Sequence, residues 1–429
     1  MIKSIKKLLK TDLIKTSFFT SIATFVRIIA AFALNKIVAI YVGPVGVAIM
    51  GQFNNFFGII TTIAAGGVNN GVIKYIAENR ESETNTRKVI STAVILTIIC
   101  SLLTGIVILI FADYFSNLIF KSSEYKFVLI IISFSLLFAS LNSLLMSILN
   151  GHKEVKKYTY ANIITSLFIL VFSVLLVIKY NLSGVLIALV LAQSLIFFIT
   201  LGFVLKCNWF KINYFFNYFD KKVLRNLSKF SIMTMVSSFT APVALLVIRN
   251  HLGNSLSWND AGYWQGVWTI SEVYLMFITS SLGVYYLPRL AEINNNRELR
   301  KEIFSTSKIV LPIVAIIALL IFLLKEPLMY ILFTEKFKPM LPLFKYQLLG
   351  DVIKIACWLI SYQMAAKAMI KLWIFSEVFF SIIFITLSIF LIDAIGIQGA
   401  TIAFCINYSL YFIFLLFVFR KLLFYSSSK

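Results

Sequence analysis

The chain has 429 residues, of which 60% are hydrophobic and only 13% are charged, with a formal net charge of +21. Ordinary globular chains are roughly 45–50% apolar and about 25% charged, so this chain has too little polar surface to cover a water-soluble globule. The composition argues against a soluble enzyme, a disordered protein and a secreted disulfide scaffold.

Twelve apolar segments are each long enough to cross a bilayer as a helix, which takes about 20 residues. Their apolar runs are continuous rather than alternating, which is typical of helices and not of barrel strands. In chain order they lie at 15–42, 47–75, 88–112, 125–149, 158–180, 184–206, 226–250, 262–287, 304–325, 342–366, 371–392 and 396–420. The sequence therefore predicts an all-α polytopic membrane protein with 12 transmembrane helices.

The basic residues indicate the orientation of these spans. With the N-terminus inside, the cytoplasmic segments and adjoining span ends carry 28 of the 39 Lys and Arg residues, and the outer loops carry six. This asymmetry follows the positive-inside rule and places both termini in the cytoplasm. Because the cations are scattered over short segments, they do not indicate a nucleic-acid partner.

The first two spans carry polar groups inside the membrane, where a charge is costly and usually functional. Arg27 lies near mid-depth of span 1, and Lys36 lies in its outer third. They are nine residues apart and point to nearly opposite faces at about 100° per residue, so Arg27 is the better candidate for a central cavity. Asn70 belongs to a group of amides in span 2 that suits hydrogen bonding to sugars, although helix packing uses such residues too.

The chain contains an internal duplication. An offset of about 214 residues aligns its halves, and each half holds six spans in the same orientation. This is the parallel-repeat plan of many transporters, in which the substrate binds between the halves. We predict two six-helix bundles, 1–206 and 222–429, related by a pseudo-two-fold axis along the membrane normal and joined by a cytoplasmic linker at 207–221.

Span 7 contains a proline and a cation. Pro242 lies in mid-span, where the missing N–H kinks a helix, and we predict a hinge there, with a static kink as the alternative. Arg249 lies in the outer third, at nearly the repeat position of Lys36. It is either a substrate-binding residue or a side chain that extends to the outer interface.

Span 8 combines aromatic, amide and acidic side chains. Trp264 and Gln265 are candidates for stacking on and hydrogen bonding to sugars. Glu272 lies near mid-depth and is either a carboxylate that couples transport to an ion or the partner of Arg27.

Span 10 carries three charged residues. Lys345 lies in the outer third and either binds substrate or extends to the interface. Asp351 and Lys354 are three residues apart on one face, where they form a structural pair or act separately in ion coupling and substrate binding. The spans together hold five cations against two acids, which favours a large anionic, sugar-bearing ligand.

Four motifs resemble a known family. They are GPVG at 43–46, NNGVIKYIAE at 69–78, WQGV at 264–267 and QLLGDVIK at 347–354. The chain resembles the flippases of lipid-linked O-antigen units and enterobacterial common antigen, within the multidrug, oligosaccharidyl-lipid and polysaccharide exporter superfamily. The resemblance implies a MATE-like fold and alternating access. It also implies translocation of an undecaprenyl-diphosphate-linked oligosaccharide from the cytoplasmic to the periplasmic leaflet of the bacterial inner membrane.

The same resemblance implies roles for single residues. Arg27, Lys36, Arg249 and Lys354 match cationic cavity positions, and Glu272 occupies a position where we expect Asp in the common-antigen relatives. Expected partners are the lipid-linked glycan, membrane lipid and other polysaccharide-assembly membrane proteins. We expect no nucleic-acid partner, no metal and no cofactor apart from a coupling H⁺ or Na⁺, and the driving force is the membrane potential, ion antiport or both.

Three other functions remain open from the sequence, one of them a non-transporting scaffold of the assembly machinery. A MATE-type ion-coupled drug exporter would suit a cavity of net acidic character. An integral-membrane glycosyltransferase or polymerase of the same pathway would need a larger periplasmic loop than the outer loops of about a dozen residues found here.

Overall fold

A computed structural model describes residues 12–80, 82–211, 215, 219–293, 295–367 and 369–424. These residues form helices joined by short turns, and the described ranges contain no strand. They group into two compact units, one from residues 12–41 and 53–239 and the other from residues 42–52 and 240–424. The predicted lobes and linker stay a prediction, and their residues 1–11, 81, 212–214, 216–218, 294, 368 and 425–429 lie outside the described residues.

The first unit contains most of the helices from the first half of the chain. They are α1 (Asp12–Tyr41), the larger part of α2 (Pro44–Ala64), α3 (Asn69–Glu78), α4 (Glu83–Ile110), α5 (Ala112–Phe120), α6 (Lys126–Gly151), α7 (Val155–Leu205) and the start of α8 (Lys221–Ser255). Helix α7 is 51 residues long because two helices join at Asn181, whose φ of 49° and ψ of −133° are not helical. It therefore covers two predicted spans.

The span predicted over 47–75 is wrong beyond Ala64. Gly66 and Gly67 have φ values of +68° and +63°, in the left-handed region that glycine adopts without a Cβ clash. They end α2 and turn the chain into α3. Asn69 at the start of α3 donates a hydrogen bond to Oγ of Ser143 at 2.8 Å, which ties α3 to α6.

The second unit contains the end of α8, the start of α2 and the helices that follow. These are α9 (Trp258–Ser281), α10 (Leu287–Glu292), α11 (Asn296–Leu323), α12 (Lys325–Leu332), α13 (Phe344–Ala366), α14 (Ile370–Ile395), α15 (Gln398–Val418) and α16 (Arg420–Phe424). A π-helical turn, Leu282–Tyr286, joins α9 to α10, and a 3₁₀ segment, Glu335–Leu343, precedes α13.

Ten helical segments of the described chain are long and apolar enough to cross a membrane. One of them is the double helix α7, which accounts for two of the predicted spans. Helix α9 is not among the ten, because Asp260, Gln265 and Glu272 lower its hydropathy. With α7 counted twice and α9 added, helices occupy all twelve predicted segments, and the chain is a multi-pass membrane protein.

Both units pack apolar side chains between their helices. In the first unit, Ile76, Ile90 and Ile148 from three helices are fully buried together. In the second unit, the buried Tyr286 hydroxyl donates to the backbone oxygen of Leu359 at 2.7 Å. Because lipid tails are as apolar as these side chains, close packing and buried hydrogen bonds hold the helices together.

The start of α9 is fixed against the start of α2. Ser257 caps α9, since its Oγ accepts a hydrogen bond from the backbone N–H of Asp260 at 3.1 Å. A Cβ on Gly262 would lie only 2.1 Å from the carbonyl oxygen of Pro44, so the two backbones touch at this point. A Cβ on Gly51, two turns further along α2, would lie 2.6 Å from the side chain of Gln265.

Candidate functional site

Arg249 near the end of α8 lies inside a cage of amides. Its Nη1 donates to Oε1 of Gln52 at 2.7 Å, and its Nη2 donates to Oε1 of Gln265. The ring centroid of Trp264 lies 5.6 Å from the guanidinium carbon. Arg249 is only 1% exposed and forms no salt bridge with any described acid, so it does not extend to an interface.

The amides that hold Arg249 have further partners within the same unit. Nε2 of Gln52 donates to Oδ1 of Asn250 at 2.9 Å, and Nε2 of Gln265 donates to Oγ1 of Thr269 at 3.1 Å. The Nε of Arg249 is buried without a hydrogen-bond partner among the described residues. The arrangement keeps a positive charge at this position and leaves one of its donors unused.

Lys354 in the middle of α13 lies inside an aromatic cage. Its Nζ is 5.3–5.8 Å from the ring centroids of four residues on three helices, namely Trp268, Trp358, Phe404 and Tyr408. An ammonium within about 6 Å of a ring face is attracted by the ring quadrupole, and the attraction is stronger where water is excluded. No carboxylate of the described residues lies within salt-bridge distance of Lys354.

Asp351 lies one turn before Lys354 and is completely buried. Its Oδ2 accepts a hydrogen bond from the Tyr274 hydroxyl at 2.9 Å, and its Oδ1 accepts one from Nε2 of Gln347 at 3.4 Å. The pairing of Asp351 with Lys354 that their spacing allows does not form within 4 Å. Asp351 is instead bonded to neutral donors, one of them on α9.

Glu272 is the exposed acid of the group. Its Oε1 accepts a hydrogen bond from Nε1 of Trp268, one turn earlier on α9, at 2.7 Å. Trp264 and Trp268 are themselves in contact, with ring centroids 5.5 Å apart. The two tryptophans therefore connect the surroundings of Arg249 to those of Lys354, and Glu272 adjoins the second tryptophan.

Helices α8, α9 and α13 of the second unit bring together six of the predicted site residues: Arg249, Trp264, Gln265, Glu272, Asp351 and Lys354. Lys345 is separate, exposed at the start of α13, with its Nζ 5.2 Å from the ring centroid of Tyr346. Pro242 lies inside α8, three residues after the first unit ends at Phe239.

The other three predicted site residues lie in the first unit. Arg27 is exposed on α1, and Lys36 is half-buried two to three turns further along the same helix. Asn70 at the start of α3 donates a hydrogen bond to Oγ1 of Thr234 at 3.5 Å.

The sequence reasoning missed the aromatic cage and the tyrosine on Asp351. Trp358 follows Lys354 by four residues, so this ring alone had a helical-spacing signal. Phe404, Tyr408 and Tyr274 lie on other helices, and nothing in their own segments marks them. The described residues contain no group of three or more His, Cys, Asp or Glu side chains placed to hold a metal ion.

Comparison with known proteins identifies the family. Residues 13–294 match the family described as Polysaccharide biosynthesis protein. The chain belongs to this family. It is 30% identical over 405 residues to the Lipid III flippase of Escherichia coli (strain K12), and the match covers 94% of this chain and 96% of that protein.

Solved structures show the fold of this family member. An inward-facing multidrug resistance MATE transporter of the MOP superfamily matches with a TM-score of 0.78, at 14% identity and over 92% of this chain and 95% of that chain. The lipid II flippase MurJ in an inward closed conformation matches with a TM-score of 0.71, at 19% identity and over 95% of this chain and 87% of that chain. The predicted MATE-like, all-helical fold is confirmed.

Proposed function

We propose that this chain is a flippase that moves a lipid-linked oligosaccharide across a membrane. The proposal is supported by membership of the polysaccharide biosynthesis family and by the likeness, over nearly the whole chain, to a Lipid III flippase. The chain is a transporter rather than an enzyme. We propose further that the lipid is undecaprenyl diphosphate, that the glycan is an O-antigen repeat unit, and that it travels from the cytoplasmic to the periplasmic leaflet.

The observation that carries the proposal is the half-buried cation Lys354 in its aromatic cage. A diphosphate carries about two negative charges, and an ammonium that forms no salt bridge with a described carboxylate is suited to replace part of its hydration. The four rings of the cage hold the ammonium in place. The indole ring of Trp358, which is half-buried, would also stack on sugar.

Arg249 has a different proposed part in binding. Because Gln52 and Gln265 already accept from its two terminal nitrogens, it contributes positive potential rather than a bidentate phosphate contact. Trp264 and Gln265 then act mainly by holding Arg249. Arg27, Lys36, Lys345 and Asn70 stay proposed contacts for the diphosphate and sugars.

The two acids are the proposed coupling groups for H⁺ or Na⁺. Glu272 is exposed and has a single described hydrogen-bond donor, so it can exchange an ion with water. Asp351 is buried and bonded to Tyr274 and Gln347, so it is the slower of the two to exchange. A membrane potential negative inside adds about 2.3 kcal/mol per charge per 100 mV to the outward movement of an anion.

We place the protein in the bacterial inner membrane with both termini in the cytoplasm, as the distribution of its basic residues favours. Its proposed partners are the lipid-linked glycan, the surrounding lipid and other membrane proteins of polysaccharide assembly.

Depletion of the protein in its own cells tests the proposal. Lipid-linked units are labelled by a membrane-impermeant glycan probe in spheroplasts and again after lysis. A flippase predicts that depletion lowers the fraction labelled before lysis and raises the total pool. An unchanged fraction, or a loss of drug efflux instead, would support the MATE-type exporter and overturn the flippase.

A further inference from the structure

The second unit contains a cavity of about 1620 Å³, away from the Arg249 and Lys354 cages. It lies between the start of α11, the chain just before α14, and the junction of α15 with α16. The residues at all three places belong to segments whose basic content predicts the cytoplasmic side. The mechanism proposed above does not use this cavity.

The lining of the cavity is strongly basic. Its charged residues are five cations and one acid, which gives five minus one, or +4: Arg297, Arg300, Lys301, Arg420, Lys421 and Glu298. None of the five cations forms a salt bridge within 4 Å to an acid in the described part of the chain. Apolar side chains complete the wall, among them Phe304, Met369 and Leu422.

One of these cations lies where its own helix disfavours it. Arg297 occupies the first turn of α11, close to the positive end of the helix dipole, where an anion is stabilising. The side chain of Asn295 accepts from the backbone N–H of Arg297 at 2.8 Å, and Glu298 is the acid of that turn. Arg300 and Lys301 follow in the next turn, so a bound anion would offset the repulsion among three closely spaced cations.

The positive-inside rule alone does not account for this arrangement. That rule places basic residues on the cytoplasmic side but does not require them to converge on one cavity from separate segments. Here Arg420, with its guanidinium 4.8 Å from the ring centroid of Phe417, joins the cluster from more than 100 residues along the chain. A basic pocket between helices at the cytoplasmic interface is suited to a phosphorylated lipid headgroup.

We propose that this cavity binds the headgroup of an anionic phospholipid that carries two phosphates. The net charge of the lining suits two phosphates better than one, and the volume exceeds what one small headgroup fills. The apolar wall residues would contact the acyl chains next to the headgroup. The occupant is thus a membrane lipid that stays bound, separate from the glycan lipid that we propose is transported.

The test titrates the purified full chain in neutral detergent with cardiolipin, phosphatidylglycerol and phosphatidylcholine. Bound lipid is counted by native mass spectrometry. The variant Arg297→Gln/Arg300→Gln/Lys301→Gln is compared with Lys221→Gln/Lys222→Gln/Arg225→Gln, which removes three exposed cations from the first turns of α8, outside the cavity. At about 1 kcal/mol per cation, the first triple should bind cardiolipin on the order of 100-fold more weakly, and the second should bind as wild type does.

Two further measurements distinguish a lipid from a soluble diphosphate and test whether the variants are folded. Pyrophosphate, a soluble source of two phosphates, should not displace cardiolipin, because it lacks the acyl chains. The single variants Arg300→Gln and Lys421→Gln should each weaken cardiolipin binding about fivefold while the unfolding temperature without lipid stays unchanged. Equal losses in both triples, equal binding of phosphatidylcholine, or displacement by pyrophosphate would overturn the proposal.

Discussion

The indole Nε1 of Trp268 donates a hydrogen bond to Oε1 of Glu272 at 2.7 Å, one turn further along α9. The ring of the same tryptophan has its centroid 5.7 Å from Nζ of Lys354 on α13. One side chain therefore contacts both the proposed coupling carboxylate and the proposed phosphate-binding cation. A change in the charge of Glu272 therefore acts on Trp268, and Trp268 in turn contacts Lys354.

The variant Trp268→Phe separates the two contacts. It keeps an aromatic ring beside Lys354 but removes the donor to Glu272. Because a hydrogen bond to a charged group contributes about 1.5–3 kcal/mol, we expect a loss of transport rate on the order of tenfold with little change in substrate affinity. Initial flipping rates in proteoliposomes measure the first effect, and binding of the lipid-linked glycan measures the second.

The matched variant is Trp358→Phe, which alters another ring of the cage but no bond to Glu272. Its rate should fall less than that of Trp268→Phe. If the two variants behave alike, the hydrogen bond to Glu272 contributes nothing specific to transport.

The amide cage predicts that Arg249 is important for stability. Arg249→Met leaves Oε1 of Gln52 and Oε1 of Gln265 without their donor, and these two losses outweigh the relief from burying a charge. We expect the free energy of unfolding to fall by about 2 kcal/mol, measured by thermal unfolding in detergent. Arg225→Met, at an exposed site, should stay within about 0.5 kcal/mol of wild type. A fully stable Arg249→Met protein would contradict the account of the cage.

Pro242 provides a test of bending in α8. Its ring removes the backbone hydrogen bond to residue 238, close to where the first compact unit ends. We expect Pro242→Ala to slow transport severalfold without lowering the unfolding temperature, because the helix becomes stiffer and gains a hydrogen bond. Pro312→Ala in α11, an exposed proline within one unit, should leave the rate unchanged. If Pro242→Ala flips substrate at the wild-type rate, the kink at Pro242 is static.

His152 predicts a pH dependence of stability. Burial, with a smaller contribution from Arg80, lowers the pKa of His152 to about 4, and its ring stacks on Trp209 with centroids 3.9 Å apart. The unfolded chain, with a histidine pKa of about 6.5, therefore binds more protons between these values, so stability falls as the pH drops below about 6.5. Between pH 7 and pH 5 the loss attributable to His152 should be about 2 kcal/mol.

The variant His152→Phe keeps the stack on Trp209 and cannot titrate. Its thermal midpoint should therefore change less between pH 7 and pH 5 than that of wild type. A His152→Phe protein that loses as much stability as wild type would refute this assignment.

The fold could be predicted from the sequence more fully than the site. Segment length and hydropathy locate the helices because the bilayer imposes both. Local conformation, such as the helix end at Gly66 and Gly67, cannot be predicted from them. Single charged residues inside apolar spans are also evident in the sequence, which is why Glu272 and Lys354 could be predicted as site residues.

What surrounds those charges could not be predicted, since it depends on which helices meet. Gln52 reaches Arg249 from 197 residues away, and Tyr274 reaches Asp351 from 77 residues away. The spacing of Asp351 and Lys354 fits a pair equally well, and only the neighbouring donors and rings decide against it. Contacts between distant segments carry no local signal in a single sequence.

Binding of the lipid diphosphate by Lys354 is measured by the flipping of a fluorescent lipid-linked glycan in proteoliposomes. Lys354→Gln removes the charge and keeps a polar side chain that is one atom shorter. We expect its initial flipping rate to fall at least about tenfold. Lys179→Gln, at an exposed lysine whose Nζ is 5.3 Å from the ring centroid of Tyr180, should flip at the wild-type rate. Equal rates for Lys354→Gln and wild type, with both proteins folded, would show that Lys354 does not bind the diphosphate during transport.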